Sequence, residues 1–407
     1  MSGGPESQGD FAGTVTGLVF LLALAWIAGH SKLTRFERRL KVNPLILTGS
    51  VFIFLGLIAS IPGVGILSGS MLAAIAPVLP FGLGWLGFRI GFDFDRDILR
   101  NPPGASTVLR GVLLPMVLVV GACSLIVWIV DSPRLQQLDF WRDLLLVSLT
   151  SAMTSTLSLR ALTQRRRGII SVSKLAMLAE LELVVILVGL IFIAVVFRPT
   201  GEGVGWQLPP LAWLFVTLGV GMAMGMIAYG LLSAVKKGPP FIVILLGTIA
   251  MAAGMASFLR LSVIGVCFVV GLVVSNLPGD WKNQVEAVLQ RMEKPVLYLL
   301  LLIAGATWVP WDWRGWVLML IVVGARLAGR SLNFRIARWQ GDLELTEPEQ
   351  RTLILAPGGV LAVAVIISAR DLYESSQVPI LLTATIGGAL VCELLLLAAF
   401  PRLEEQP

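Results

Sequence analysis

The chain has 407 residues, 56% of them hydrophobic and only 14% charged, with a mean hydropathy of +0.87. That balance excludes an ordinary soluble domain and marks a polytopic integral membrane protein of all-α class. The net charge of +6 does not point to nucleic acid, because the bases stand in short clusters between apolar runs, where they act as topology signals.

In chain order, the first eleven residues, MSGGPESQGDF, are polar and acidic and lack the basic start of a signal peptide, so the first apolar run is expected to stay in the membrane. About thirteen spans follow, at approximately 13–30, 44–61, 66–91, 106–130, 140–163, 169–197, 208–234, 238–254, 258–276, 290–308, 314–333, 349–371 and 377–400. Lys and Arg collect in alternate loops: Lys32, Arg35, Arg38, Arg39 and Lys41; Arg96 and Arg100; Arg165, Arg166 and Arg167; Lys236 and Lys237; Arg291 and Lys294; Arg335 and Arg338. Such loops stay cytoplasmic, which places the N-terminus outside and the C-terminus inside. Trp206, Trp308, Trp311, Trp313 and Trp316 fall at the expected outer ends of spans and read as headgroup anchors. Cys123, Cys267 and Cys392 lie inside apolar runs and read as small buried hydrophobes.

Two spans carry midspan breakers. The fifth has Ser148, Thr150, Ser151, Thr154, Ser155 and Thr156 at its centre, and the twelfth has Pro357, Gly358 and Gly359 in its first half. Hydroxyls replace lost intrahelical hydrogen bonds, Pro removes a donor and Gly tolerates nonhelical dihedrals, so both can cross as broken helices. The plainer reading is hydroxyl glue and a proline kink. The two lie seven spans apart, and the odd offset inverts one relative to the other. The pattern predicts two inverted six-helix repeats with crossed broken helices, divided into a tail (1–12), a first repeat (13–197), a linking span (198–237), a second repeat (238–400) and a short cytoplasmic tail (401–407).

The costliest residues are Glu180 and Glu182, near the middle of the run 169–197. A charge at the bilayer centre costs at least roughly 2.5 to 3.5 kcal/mol, so acids there mark an ion or proton pathway. Helix geometry sets these two about 200° apart, so they do not face the same cavity. The thirteenth span adds Glu393, either functional or structural beside Arg402.

PFGLGWLGFRIGFDFDRDILR, LTSAMTSTLSLRALTQRRRG, LAMLAELELVVIL, LSVIGVCFVVGLVVSNLPG, LYLLLLIAGATWVP and the PGG segment, in that order, resemble the monovalent cation:proton antiporter family, the sodium/proton exchanger-like transporters. The resemblance implies a core domain with crossed broken helices moving against a dimerising domain, hence a homodimer, in a bacterial inner membrane. It also implies adjacent acids after the first broken helix. Here Glu182 takes the first position and Leu183 stands at the second, so the chain departs from the family at that residue. Glu180, three residues before Leu183 and within roughly 60° of its face, is a substitute.

The implied function is exchange of Na⁺ or K⁺ for protons. Proton and cation would compete for Glu180 or Glu182, with Thr150, Ser151, Thr154 and Ser155 supplying neutral oxygens. Arg326, in VVGARLAGRSLNF with Arg330, neutralises the broken helix ends or a core carboxylate, or else snorkels to the inner interface. Arg89 is open in the same way. Two other readings stand beside exchange: a related transporter of an anion or organic solute, favoured by Leu183 and the intramembrane bases, and a nontransporting scaffold or sensor. No cofactor is expected, and without a zinc-binding His-Glu pattern, nucleophile elbow or phosphate loop, no enzyme activity.

Overall fold

The computed structural model describes residues 50–61, 78–94, 105–155, 159, 172–199, 208–235, 238–341, 345–373 and 377–399. Within them the elements are α1 (Ser50–Ser60), α2 (Val78–Asp93), α3 (Ala105–Val130), a short 3₁₀ turn (Ser132–Gln136), α4 (Leu138–Ser151), α5 (Val172–Val196), α6 (Pro210–Ala234), α7 (Pro239–Phe258), α8 (Val263–Asn276), α9 (Lys282–Thr307), α10 (Trp313–Gln340), α11 (Glu347–Leu355), α12 (Gly359–Tyr373) and α13 (Val378–Ala399). The described regular structure is all helical, and seven helical stretches in it are long and apolar enough to cross a membrane. The expected span at 13–30, both chain tails and Thr156 lie outside the described residues.

Where helix bounds differ from the hydropathy reading, local chemistry gives the reason. α9 begins at Lys282 rather than near 290, because its first turns are amphipathic. Val285, Val288 and Leu289 are buried while Asn283, Ala287 and Gln290 are exposed, a 3.6-residue pattern that a uniform hydropathy window averages away. α8 begins at Val263 because Ser262 caps it, its Oγ accepting from Gly265 N at 3.2 Å. At 14 residues, α8 rises only about 21 Å, short of a full hydrocarbon crossing. The Trp anchors divide: Trp311 and Trp313 are exposed, but Trp308 is buried and meets Phe54 edge to face at 6.2 Å. Trp308 therefore packs within the protein rather than at a headgroup layer, and Trp206 lies outside the described residues.

The chain divides into two compact units, one from Met1–Arg96 and Arg198–Trp308, the other from Asp97–Phe197 and Val309–Pro407. In unit 1, helices approach to backbone contact. A Cβ on Gly91 of α2 would lie 2.0 Å from Phe268 O of α8, and one on Gly271 of α8 would lie 2.2 Å from Phe88 O of α2. Small residues let helices pack this closely where no hydrophobic drive separates lipid from protein. Gly271→Ala should therefore cost about 1–3 kcal/mol by overpacking, read as a lower thermal midpoint of the purified protein in detergent. Arg89 donates to Glu286 of α9 at 2.8 Å and pairs with Asp93 at 3.0 Å. It is thus a structural base of unit 1.

Unit 2 places α4, α11 and α12 among α3, α10 and α13. Pro115 sits inside α3, and α10 approaches it so closely that a Cβ on Gly329 would stand 2.6 Å from Pro115 N. That close approach brings the polar residues of α10 to the centre of the unit.

Candidate functional site

The site is built where two helices stop. At the end of α4, Thr150 Oγ1 donates to Val147 O at 2.9 Å and Ser151 Oγ to Ser148 O at 2.6 Å, so these hydroxyls bond back to their own helix. The helix ends at Ser151, with Ala152 as its cap. Ser155 N then leaves the helical pattern and donates to Pro357 O at 2.8 Å.

Pro357 lies in the matching interruption between α11 and α12, where its missing N–H cannot continue a helix. Gly359 opens α12 with φ +68°, and a Cβ there would meet Ser155 Cβ and Oγ at 2.6 Å. Glycine alone meets both demands, positive φ and close approach.

Two helix C-termini thus stop next to each other with orphan carbonyls and negative dipole ends. One buried guanidinium serves both: Arg326 Nη1 donates to Ser151 O and Nη2 to Ala356 O. One turn further along α10, Arg330 does the same at a second level. Its Nη1 donates to Leu353 O at 3.1 Å and its Nη2 to Ala152 O at 2.6 Å.

Arg330 Nη2 also donates to Thr154 Oγ1 at 2.6 Å and pairs with Glu182 Oε2 at 2.9 Å. Thr154 Oγ1 in turn donates to the same Glu182 oxygen at 2.6 Å. The Arg330 and Glu182 side chains are 1% and 7% exposed, which makes this a buried, charge-assisted triad. Its other carboxylate oxygen, Oε1, faces α3, where a Cβ on Gly111 would be 3.0 Å from both Oε1 and Asn333 Nδ2. Asn333 Nδ2 donates to Thr107 O at 3.0 Å.

The structure therefore brings together Thr154, Ser155, Pro357, Gly359, Glu182 and Arg326 from the sequence-derived set. Gly358 lies against the same crossing, 3.5 Å from Thr150 O if given a Cβ. Glu180 is half-buried on α5. Glu393 is buried on α13. The residue that sequence reasoning left without a role is Arg330. Its signal was present: Arg326 and Arg330 stand four apart, on one face of a helix.

No family model and no curated protein matches the sequence. Among solved structures, the chain is similar to the sodium proton antiporter MjNhaP1 from Methanocaldococcus jannaschii at pH 8, with a TM-score of 0.62 and 17% identity over 94% of this chain and 97% of that one. An electron-microscopy map of the same antiporter gives a TM-score of 0.59 and 18% identity, covering 94% of each chain. At this identity the likeness establishes the fold: an all-helical membrane protein of sodium/proton antiporter architecture.

Proposed function

We propose that the chain is a secondary active transporter exchanging a monovalent cation, Na⁺ or K⁺, for protons by alternating access at a midmembrane carboxylate. The observation that carries this reading is the crossing of two interrupted helices at Ser155 and Pro357, with a buried carboxylate beside it, in a fold shared with a sodium proton antiporter. On this reading the two interrupted helices come from inverted six-helix repeats, and the protein works as a homodimer in a plasma membrane with its N-terminus outside.

The two glutamates take different roles. Glu182 is held by Arg330 and Thr154, a buried charge-assisted pairing that fixes its side chain in place. Its task is to hold α5 to the breaks. Glu180, half-buried and about 200° around α5, is the group that exchanges a proton for a cation: charged, it attracts the ion; protonated, it releases it.

Proteoliposomes loaded with a pH-sensitive dye test this, with Na⁺, K⁺ and Li⁺ added separately. Cation-driven proton release should vanish in Glu180→Gln. Full activity in Glu180→Gln, in Glu182→Gln and in the double variant would sink the site, and no cation response at any pH would sink the exchange.

One observation favours the second reading, transport of an anion or organic solute. Among the described residues, the bonds at the breaks come from two buried guanidinium groups, Arg326 and Arg330, of which Arg330 also pairs with the carboxylate of Glu182. That surplus of positive charge repels a cation at the crossing itself, and an anion-driven signal in the same vesicles without a cation response would decide for it.

A further inference from the structure

Arg326 is 3% exposed, and although both its terminal nitrogens are bonded, its Nε has no hydrogen-bond partner among the described residues. A buried charged donor left unmade is costly, so such a group normally meets an ordered water. Arg326 lines a cavity of about 30 Å³, together with Thr150, Ser151 and Thr385. That space holds one or two water molecules.

The lining has the hydrogen-bond pattern of a water site. The Thr150, Ser151 and Thr385 hydroxyls donate to Val147, Ser148 and Leu381 carbonyls on their own helices, which leaves their oxygens as acceptors in a lining that also holds the Arg326 N–H donor. Water accepts one bond and donates two, and fits that set. A cation there would face the Arg326 charge directly.

A second cavity, of about 690 Å³, lies in the same unit, lined by Arg142, Asp143, Tyr373 and Arg314 among others. Arg142 is buried over the Tyr373 ring at 4.7 Å and pairs with Asp139 and Asp143 at 2.7 and 2.9 Å. The two cavities have no lining residue in common, but the same helices line both. On α4, Asp143 and Val147 line the large one and Thr150 and Ser151 the small one; on α10, Arg314 and Leu318 are followed by Val322 and Arg326. These are three- and four-residue steps along single helix faces, so both cavities lie in one seam between α4, α10, α12 and α13. From Arg314 to Arg326 the seam runs about 18 Å.

We propose that this seam is an aqueous route lying wholly within unit 2. It leads water from the large cavity past an apolar neck at Val147, Leu318 and Val322 to the Nε of Arg326 and the interrupted end of α4. The route reaches the crossing from within the unit and does not depend on which ion is exchanged.

Three native cysteines report on it: Cys123 lines the large cavity, Cys392 the small one, and Cys267 is fully buried in unit 1. The full chain, in vesicles of phosphatidylcholine and phosphatidylglycerol, is treated with 2-sulfonatoethyl methanethiosulfonate, and modification of each cysteine is followed by mass spectrometry. Cys123 should react faster than Cys392. Opening the neck with Leu318→Ala should speed Cys392 by about tenfold, with Cys267 unchanged. Leu353→Ala, buried in the same unit but lining neither cavity, should leave Cys392 slow. An unreactive Cys123, a Cys392 rate unmoved by Leu318→Ala, or equal acceleration by Leu353→Ala would each overturn the route. Absence of cation exchange would leave these rates as they are, so the two proposals fail separately.

Discussion

Arg330→Met should lower the stability of the protein by about 3–5 kcal/mol, the cost of leaving one member of a buried ion pair uncompensated. The loss has four parts: among the described residues the Glu182 carboxylate keeps only the Thr154 hydroxyl, and Ala152 O, Leu353 O and Thr154 Oγ1 lose their donor. Three of those four are uncharged acceptors, so the dominant part is the bare charge. It follows that Arg330→Met with Glu182→Gln should be less damaging than Arg330→Met alone, because the second change removes the stranded charge. Thermal unfolding of the purified variants in one detergent reads both. A double variant no more stable than the single one would mean that the ion pair is not what Arg330 supplies.

Arg326→Met should be comparably severe for a different reason. Among the described residues, the bonds of Arg326 go to Ser151 O and Ala356 O, the carbonyls at which two half-helices stop. Removing it strands both within a membrane interior, where each unsatisfied backbone group costs several kcal/mol. Arg326→Lys separates charge from geometry. Lysine restores the positive charge that the two helix dipoles favour, but a single ammonium does not reproduce the planar fork that reaches two carbonyls at once. The order of thermal midpoints should be Arg326, then Lys, then Met, with proton-coupled transport in vesicles following the same order. A lysine variant equal to the methionine one would show that the two-pronged geometry, not the charge, is what the break requires.

Much of this site was legible before any fold was known, because breakers announce themselves. Pro357 cannot donate and Gly359 carries no Cβ, so an interruption at 357–359 is written into the residue types. The hydroxyl cluster at 148–156 was equally visible, but its use was not. Thr154 turns its hydroxyl to Glu182, whereas Thr150 and Ser151 turn theirs back onto their own helix. Both outcomes are open to a Ser or Thr in a helix, and only the neighbouring element selects between them.

The same limit separated the acids and the bases. Periodicity set Glu180 and Glu182 on different faces of α5, yet it carried no information about which face meets α4 and α10. Arg326 and Arg330 share one face, but which of them would find a carboxylate depends on the height at which α5 crosses. Unit 1 gives a parallel case. Gly91 and Gly271 look like any helical glycines until α2 and α8 are seen in backbone contact.

By itself, then, the amino-acid sequence determined that this is a helical membrane protein and where two of its helices are interrupted, since hydrocarbon burial and backbone hydrogen bonding act locally along the chain. Only the tertiary structure decided that Arg330 neutralises Glu182 and that Arg326 joins two helix ends. A buried charge takes its partner from whatever lies within about 3 Å in space, and helix crossing, not sequence spacing, sets that distance.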